Sequence, residues 1–156
     1  MKRGRRILIG AVAALLLVPA TSAAAVTTLP GVNAYYAGVL QASGTAQSFW
    51  YASRPYVNVS YIDRRTNSYS AYADARFYQN RWSCTSYPGG GQICAYKWLW
   101  VGQSNAPNIN PPSGWKLVSL NHALTGLAGA YASAYDVCAD VPWRSDHCGG
   151  TGMYGY

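Results

Sequence analysis

The residues that could perform chemistry in this 156-residue chain are two histidines, five aspartates and four cysteines, since the chain has no glutamate. His122 follows Asn121, and His147 stands directly before Cys148. A Ser-His-Asp arrangement needs a histidine base held by a carboxylate, and neither histidine is flanked by a nucleophile motif. We therefore interpret His122 as a strand residue and His147 as a solvated loop residue, and the sequence predicts no catalytic residue.

The aspartates offer little more. Asp136, Asp140 and Asp146 surround the second pair of cysteines, but their spacing does not match an EF-hand calcium loop. A carboxylate pair for glycoside hydrolysis would have to come from the five aspartates. Phosphate-cradling and dinucleotide-binding motifs are missing as well. The sequence predicts no metal site and no cofactor, and a small secreted hydrolase is the weakest of the functional alternatives.

The four cysteines occur as two Cys-x9-Cys spacings, Cys84 to Cys94 and Cys138 to Cys148. There is no Cys-x-x-Cys motif, which argues against a redox or zinc site. Four cysteines allow three connectivities, and the sequence leaves that choice open. Pairing within each spacing is favoured because short loops close easily, and because the turn at residues 88–91 would bring Cys84 and Cys94 together across a hairpin.

The first 25 residues have the plan of a secretory signal peptide. A basic start is followed by the uncharged run Ile7–Val18 and then by small residues suited to cleavage after Ala23 or Ala25. The alternative is a retained membrane anchor, but the apolar run is shorter than the roughly 20 residues that span a bilayer. The pair Arg5–Arg6 also permits twin-arginine export, so the export route stays open. The sequence predicts secretion to the extracellular space.

Removing that signal lowers the formal charge from +7 to +3, because the signal carries four of the cations. In the remaining chain no cluster of basic residues is larger than Arg64–Arg65. A surface that tracks phosphates needs more positive charge than this, so we predict no nucleic-acid partner. No second apolar segment approaches membrane-spanning length, and we predict no membrane association after cleavage.

Alternating residues indicate strands along most of the chain. Residues 56–62 (YVNVSYI) and residues 68–79 (SYSAYADARFYQ) both alternate with a period of two, and the turn-like segment 63–67 between them predicts a hairpin. The strand at residues 95–101 (AYKWLWV) puts Tyr96, Trp98 and Trp100 on one face. Short strands, frequent turns and no long amphipathic helix predict an all-β fold, a small disulfide-stabilised β-sandwich, with a barrel as the alternative.

Two stretches of similar sequence suggest an internal repeat. Residues 70–75 (SAYADA) and residues 129–134 (GAYASA) are each followed by a Cys-x9-Cys spacing. We predict a single β domain over residues 26–156 that contains two similar hairpin units, with candidate repeats at 56–94 and 115–148. The alternative, a chance echo in a chain rich in Ala and Tyr, stays open.

The positive functional signal is aromatic, with 14 Tyr, six Trp and two Phe. Tyr and Trp form binding surfaces without losing solubility. The pattern indicates a recognition element at Trp143 and Arg144, at the tip of the second cysteine loop, with a packed Trp143 as the alternative. Tyr154 and Tyr156 of the Gly-Tyr tail are further binding candidates.

We predict a secreted, non-enzymatic binding protein with an extracellular protein partner, acting as an adaptor, an inhibitor or a subunit of an assembly. A carbohydrate or cell-wall binding module is the alternative.

Overall fold

A computed structural model of the chain describes residues 25–110, 114–123 and 130–155, and the predicted signal peptide lies outside these ranges up to residue 24. The described residues form β-strands and no helix, so none of their elements is a helix long and apolar enough to cross a membrane. The strands are β1 (Thr27–Tyr36), β2 (Val39–Tyr51), β3 (Arg54–Asp63), β4 (Ser70–Ser86), β5 (Gln92–Asn105), β6 (Lys116–Asn121), β7 (Tyr131–Asp140), β8 (His147–Gly150) and β9 (Tyr154–Gly155).

The strands form two antiparallel sheets that pack face to face. The first sheet has the order β1-β2-β3-β6, and the second has the order β5-β4-β7-β8, with β9 pairing to β7. Strand β7 packs across β1, β2 and β3 of the first sheet. This arrangement is a sandwich and not a closed barrel, which confirms the predicted all-β, disulfide-stabilised β-sandwich.

The core follows from the alternation that the sequence shows. On β3, Val57, Val59 and Tyr61 are fully buried, while the side chains between them face outward. On β4, Ala71 and Ala73 are buried in the same core. A strand that buries one face needs apolar side chains at every second position, and both strands meet that requirement.

Two buried tyrosines tie irregular main chain to the core. The hydroxyl of Tyr135 donates to the carbonyl oxygens of Pro30 at 2.5 Å and Gly44 at 3.1 Å. The hydroxyl of Tyr61 donates to the carbonyl oxygen of Pro107 at 2.6 Å. Burial raises the pKa of Tyr135 to about 12, so the phenol stays protonated and keeps its donor.

The predicted hairpin between residues 56–62 and 68–79 is wrong. These segments lie in β3 and β4, which belong to different sheets: β3 pairs with β2 and β6, whereas β4 pairs with β5 and β7. The chain crosses from one sheet to the other over residues 64–69. Alternation predicts which face of a strand is buried, but it does not distinguish a neighbour in the same sheet from a strand packed opposite.

The two candidate repeat segments lie next to each other in both sheets. Val59 of β3 stands opposite Val118 of β6, and Ala75 of β4 stands opposite Tyr135 of β7. The similar Ala-Tyr-Ala stretches nevertheless use opposite faces. The alanines of β4 point into the core, whereas Ala132 pairs with an outward residue of β4. The repeat itself stays a prediction.

Both disulfides have the connectivity that the sequence favoured. Cys84 bonds Cys94 and Cys138 bonds Cys148, each with an S–S distance of 2.02 Å. The first pair stands directly opposite between β4 and β5, and the second between β7 and β8, so each bond closes a genuine hairpin. Two such bonds are typical of proteins from oxidising, extracellular environments.

Candidate binding surface

One hairpin leaves the sandwich and forms a two-stranded arm. The pairing of β4 with β7 ends at Gln79, which stands opposite Tyr131, whereas the pairing of β4 with β5 continues to Ser86. We call residues 80–98 the arm. No third described strand pairs with this part of β4 or β5. An isolated two-stranded ribbon is marginal in water, so the Cys84–Cys94 bond is well placed to hold the arm together.

The arm and its base carry a row of aromatic rings on one face. Cross-strand register places Trp82 opposite Tyr96, Asn80 opposite Trp98, and Tyr78 opposite Trp100. Because β4 alternates regularly, all these residues project from the same side of the ribbon. We define the aromatic face as the following residues: Tyr78, Trp82, Tyr96, Trp98 and Trp100.

These rings are open to solvent. Trp82 is 61 % exposed, Tyr96 70 % and Trp100 62 %. The rings of Trp82 and Tyr96 contact each other edge to face, with centroids 5.3 Å apart. Contiguous exposed apolar surface is uncommon on soluble monomers and marks interaction sites. The aromatic face is therefore the strongest candidate binding surface on the described part of the chain.

Charge divides the two sides of the arm. The aromatic face carries no charged side chain, whereas Arg81 and Lys97 stand opposite each other on the other side. Ile93 also lies on that other side and is 58 % exposed. The aromatic face therefore offers ring contact and no ion pairing.

Three polar residues of β4, which we call the polar row, lie on the same side as the aromatic face. They are Asp74, Arg76 and Asn80. Asp74 stands opposite Asp136 of β7, and Arg76 forms an ion pair with Asp136 at 2.7 Å. Burial, reinforced by the charge of Asp136, raises the pKa of Asp74 to about 6, although Arg76 acts in the other direction. Burial also raises the pKa of Asp136, and again Arg76 opposes the shift.

Each member of the polar row has a buried atom without a hydrogen-bond partner. The atoms are Oδ1 of Asp74, Nε of Arg76 and Oδ1 of Asn80. Leaving such an atom unpaired costs about 1–3 kcal/mol, so native proteins rarely do so without a reason such as a water or a ligand. The two other unpartnered atoms among the described residues belong to Ser48 and Ser133, which stand at inward-facing positions of β2 and β7.

The predicted recognition element at Trp143 and Arg144 lies at the other end of the second sheet. The amide of Arg144 donates to the carbonyl oxygen of Val141 at 3.2 Å, and Trp143 has a φ of 64°. With Pro142 before it, Trp143 occupies the turn position that favours glycine. Its side chain is fully exposed, so it is not packed. The strand rise puts Trp143 about 40 Å from Trp82, and the structure does not bring the two together.

The tail residues do not join Trp143 either. Tyr154 lies on β9, which pairs with β7 next to Ser133, and its side chain is partly buried against the core. Tyr154 is therefore partly a packing residue. Tyr156 lies outside the described residues.

Both histidines have ring neighbours. His122 stacks on Phe77 with centroids 5.9 Å apart, and its ring lies against Gly102 where a Cβ would not fit. His147 lies on β8 and not in the predicted loop; its side chain is exposed, and its ring centroid lies 4.8 Å from that of Tyr36. These contacts agree with structural roles. Among the described residues, no three His, Cys, Asp or Glu side chains are grouped so that they could hold a metal ion.

The aromatic face is the feature that sequence reasoning missed. The alternation of Tyr96, Trp98 and Trp100 was visible, and Trp82 follows once Cys84 is placed opposite Cys94. The sequence does not show that this hairpin extends beyond the neighbouring strand β7. That extension depends on where β7 begins. No protein family, curated protein or solved structure matches the chain, so its function has to be argued from this surface.

Proposed function

We propose that this chain is a secreted, non-enzymatic binding protein that holds an uncharged extracellular ligand against the aromatic face. The signal-like first 25 residues and the two disulfides support an extracellular role. The observation that carries the proposal is the row of exposed Trp and Tyr rings on the arm, which nothing else among the described residues covers.

The physical basis is the burial of ring area on a surface that is already ordered. Each exposed Trp or Tyr offers a large apolar area with a polar atom at its edge. Because the Cys84–Cys94 bond and the strand pairing fix the arm, little conformational entropy is lost when a ligand binds. Affinity can then come from ring contact rather than from charge.

A second candidate is a protein partner that adds a strand to β5. In its favour, β5 is the edge strand of its sheet over 14 residues, and its outer edge is unpaired among the described strands. Exposed edges are templates for strand addition. Lys97 and the bulge at Val101 are features of β5 that disfavour such pairing. This candidate retains the extracellular protein partner expected from the sequence.

Removing aromatic rings from the aromatic face distinguishes the two candidate functions. The mature protein is immobilised and exposed to culture medium and to isolated cell-wall material, and the bound fraction is quantified. We expect Trp98→Ala with Trp100→Ala to abolish capture. Ile93→Ala removes an exposed apolar side chain from the other side of the arm and serves as the matched control. Strand addition predicts instead that capture persists without the rings, because main-chain hydrogen bonds remain.

A further inference from the structure

We infer that the ligand of the aromatic face is a neutral polysaccharide, whose sugar rings stack on the Trp and Tyr side chains while its hydroxyls bind the polar row. This inference rests on the proposed function and names its ligand class. It follows from the position of the polar row relative to the rings and from the hydrogen-bonding groups that the row leaves unused.

The rings and the polar row form one continuous track along β4. Five residues occupy successive outward positions of β4: Asp74, Arg76, Tyr78, Asn80 and Trp82. The pairing of β4 with β7 is unbroken up to Gln79. The strand rise makes this track about 27 Å long. A track of that length suits an extended chain molecule better than a small ligand.

The chemistry of the track matches sugar hydroxyls. A hydroxyl both donates and accepts hydrogen bonds. The polar row holds an unpartnered carboxyl oxygen on Asp74, an unpartnered guanidinium N–H on Arg76 and an unpartnered amide oxygen on Asn80. Because all three atoms are buried, these side chains have to turn outward to reach a sugar hydroxyl. Asp74 is itself 7 % exposed and Arg76 is 33 % exposed in its side chain, so the row is buried at one end and opens to the surface in the middle.

The charges argue against an anionic ligand. Arg76 is already paired with Asp136, and Asp74 stands next to the same carboxylate. The group therefore has no positive charge left over for a phosphate or a sulfate. The aromatic face adds no charge of either sign. A ligand with many hydroxyls and no net charge satisfies both halves of the track.

The test is a retention assay with four insoluble neutral polysaccharides, cellulose, chitin, curdlan and xylan, using the mature protein. Three variants accompany it: Trp98→Ala with Trp100→Ala for the rings, Asp74→Asn with Asn80→Ala for the polar row, and Ile93→Ala as the control. Circular dichroism and thermal melting establish that each variant is folded. We expect at least one polysaccharide to retain the wild type and the control, the polar-row variant to bind about tenfold more weakly, and the ring variant not to bind.

The outcomes distinguish this inference from the proposed function. Binding that needs the rings but is unchanged in the polar-row variant overturns the role of the polar row. Retention on no polysaccharide, combined with ring-dependent capture of a protein from culture medium, overturns the ligand class but keeps the aromatic face as the binding surface. Binding to a polysaccharide that survives loss of the rings, or no ring-dependent capture of any kind, overturns both.

Discussion

Gly150 of β8 lies so close to the carboxylate of Asp136 on β7 that no Cβ fits between them. Arg76 holds the same carboxylate from β4 at 2.7 Å. Three strands of the second sheet therefore meet at one carboxylate. The absence of a side chain at position 150 leaves the space that the ion pair occupies.

Gly150→Ala should push Asp136 away from Arg76 and destabilise the fold by about 1–3 kcal/mol. Gly152→Ala is the matched control, because a Cβ there meets nothing within 4 Å. Urea denaturation of the two variants measures the difference. Equal stabilities would show that Asp136 moves aside without loss.

The stability of the protein should fall as the pH rises from about 4 to about 7. Asp74 has a pKa raised by burial to about 6, so the folded state holds this proton more tightly than the unfolded chain does. Its stabilising contribution is complete below the unfolded pKa of about 4 and is lost as the pH passes through about 6, with a magnitude of about 1–3 kcal/mol. The raised pKa of Asp136 acts with the same sign.

Asp74→Asn checks this assignment, because the amide imitates the protonated carboxyl and does not titrate. We expect thermal melting at several pH values to show a shallower dependence in this variant than in the wild type. A dependence of unchanged slope would place the titrating group elsewhere.

Trp143→Gly should be more stable than Trp143→Ala by about 1 kcal/mol. Both variants remove the exposed indole, but only glycine adopts the φ of 64° at this turn without steric strain. Chemical denaturation of the pair measures the difference. If alanine proved as stable as glycine, the turn would relax to another conformation in the variant.

The two disulfides should differ in what they stabilise. Cys84 and Cys94 join strands of the arm outside the sandwich, whereas Cys138 is fully buried within the second sheet. Replacing both arm cysteines by serine should expose the arm to limited proteolysis while the melting temperature of the sandwich changes little. Replacing Cys138 and Cys148 should lower global stability by about 2–4 kcal/mol. Equal losses of global stability in both variants would contradict a separate arm.

The sequence predicted the fold class because alternation determines which side of each strand is buried. The alternation predicted for residues 56–62 puts Val57, Val59 and Tyr61 on one face, and they form part of the core. The paired cysteines followed from loop length. Strand partners did not follow, because residues 64–69 could turn back within one sheet or cross to the other, and both choices bury the same faces of β3 and β4.

The candidate site was harder to predict for a related reason. Trp143 stood out because it lies within a short cysteine loop, and the structure exposes it fully. Alternation does not show whether the rings of β4 and β5 face the core or the solvent, since alternating aromatics are also what a buried strand contains. Only the strand register shows that these rings lie on the outward side of β4, in line with Arg76, and therefore face away from the first sheet.

The position of the arm also determines how the molecule would respond to a pulling force. A ligand pulling on the arm away from the sandwich loads β4 along its own axis. Strand β4 is joined to β7 over ten residue pairs, from Ser70 to Gln79, so the whole ladder would resist sliding at once instead of opening one pair at a time. The disulfide near the tip carries the load between β4 and β5 covalently. The strand pairing and the disulfide would therefore let the arm withstand tension along its length.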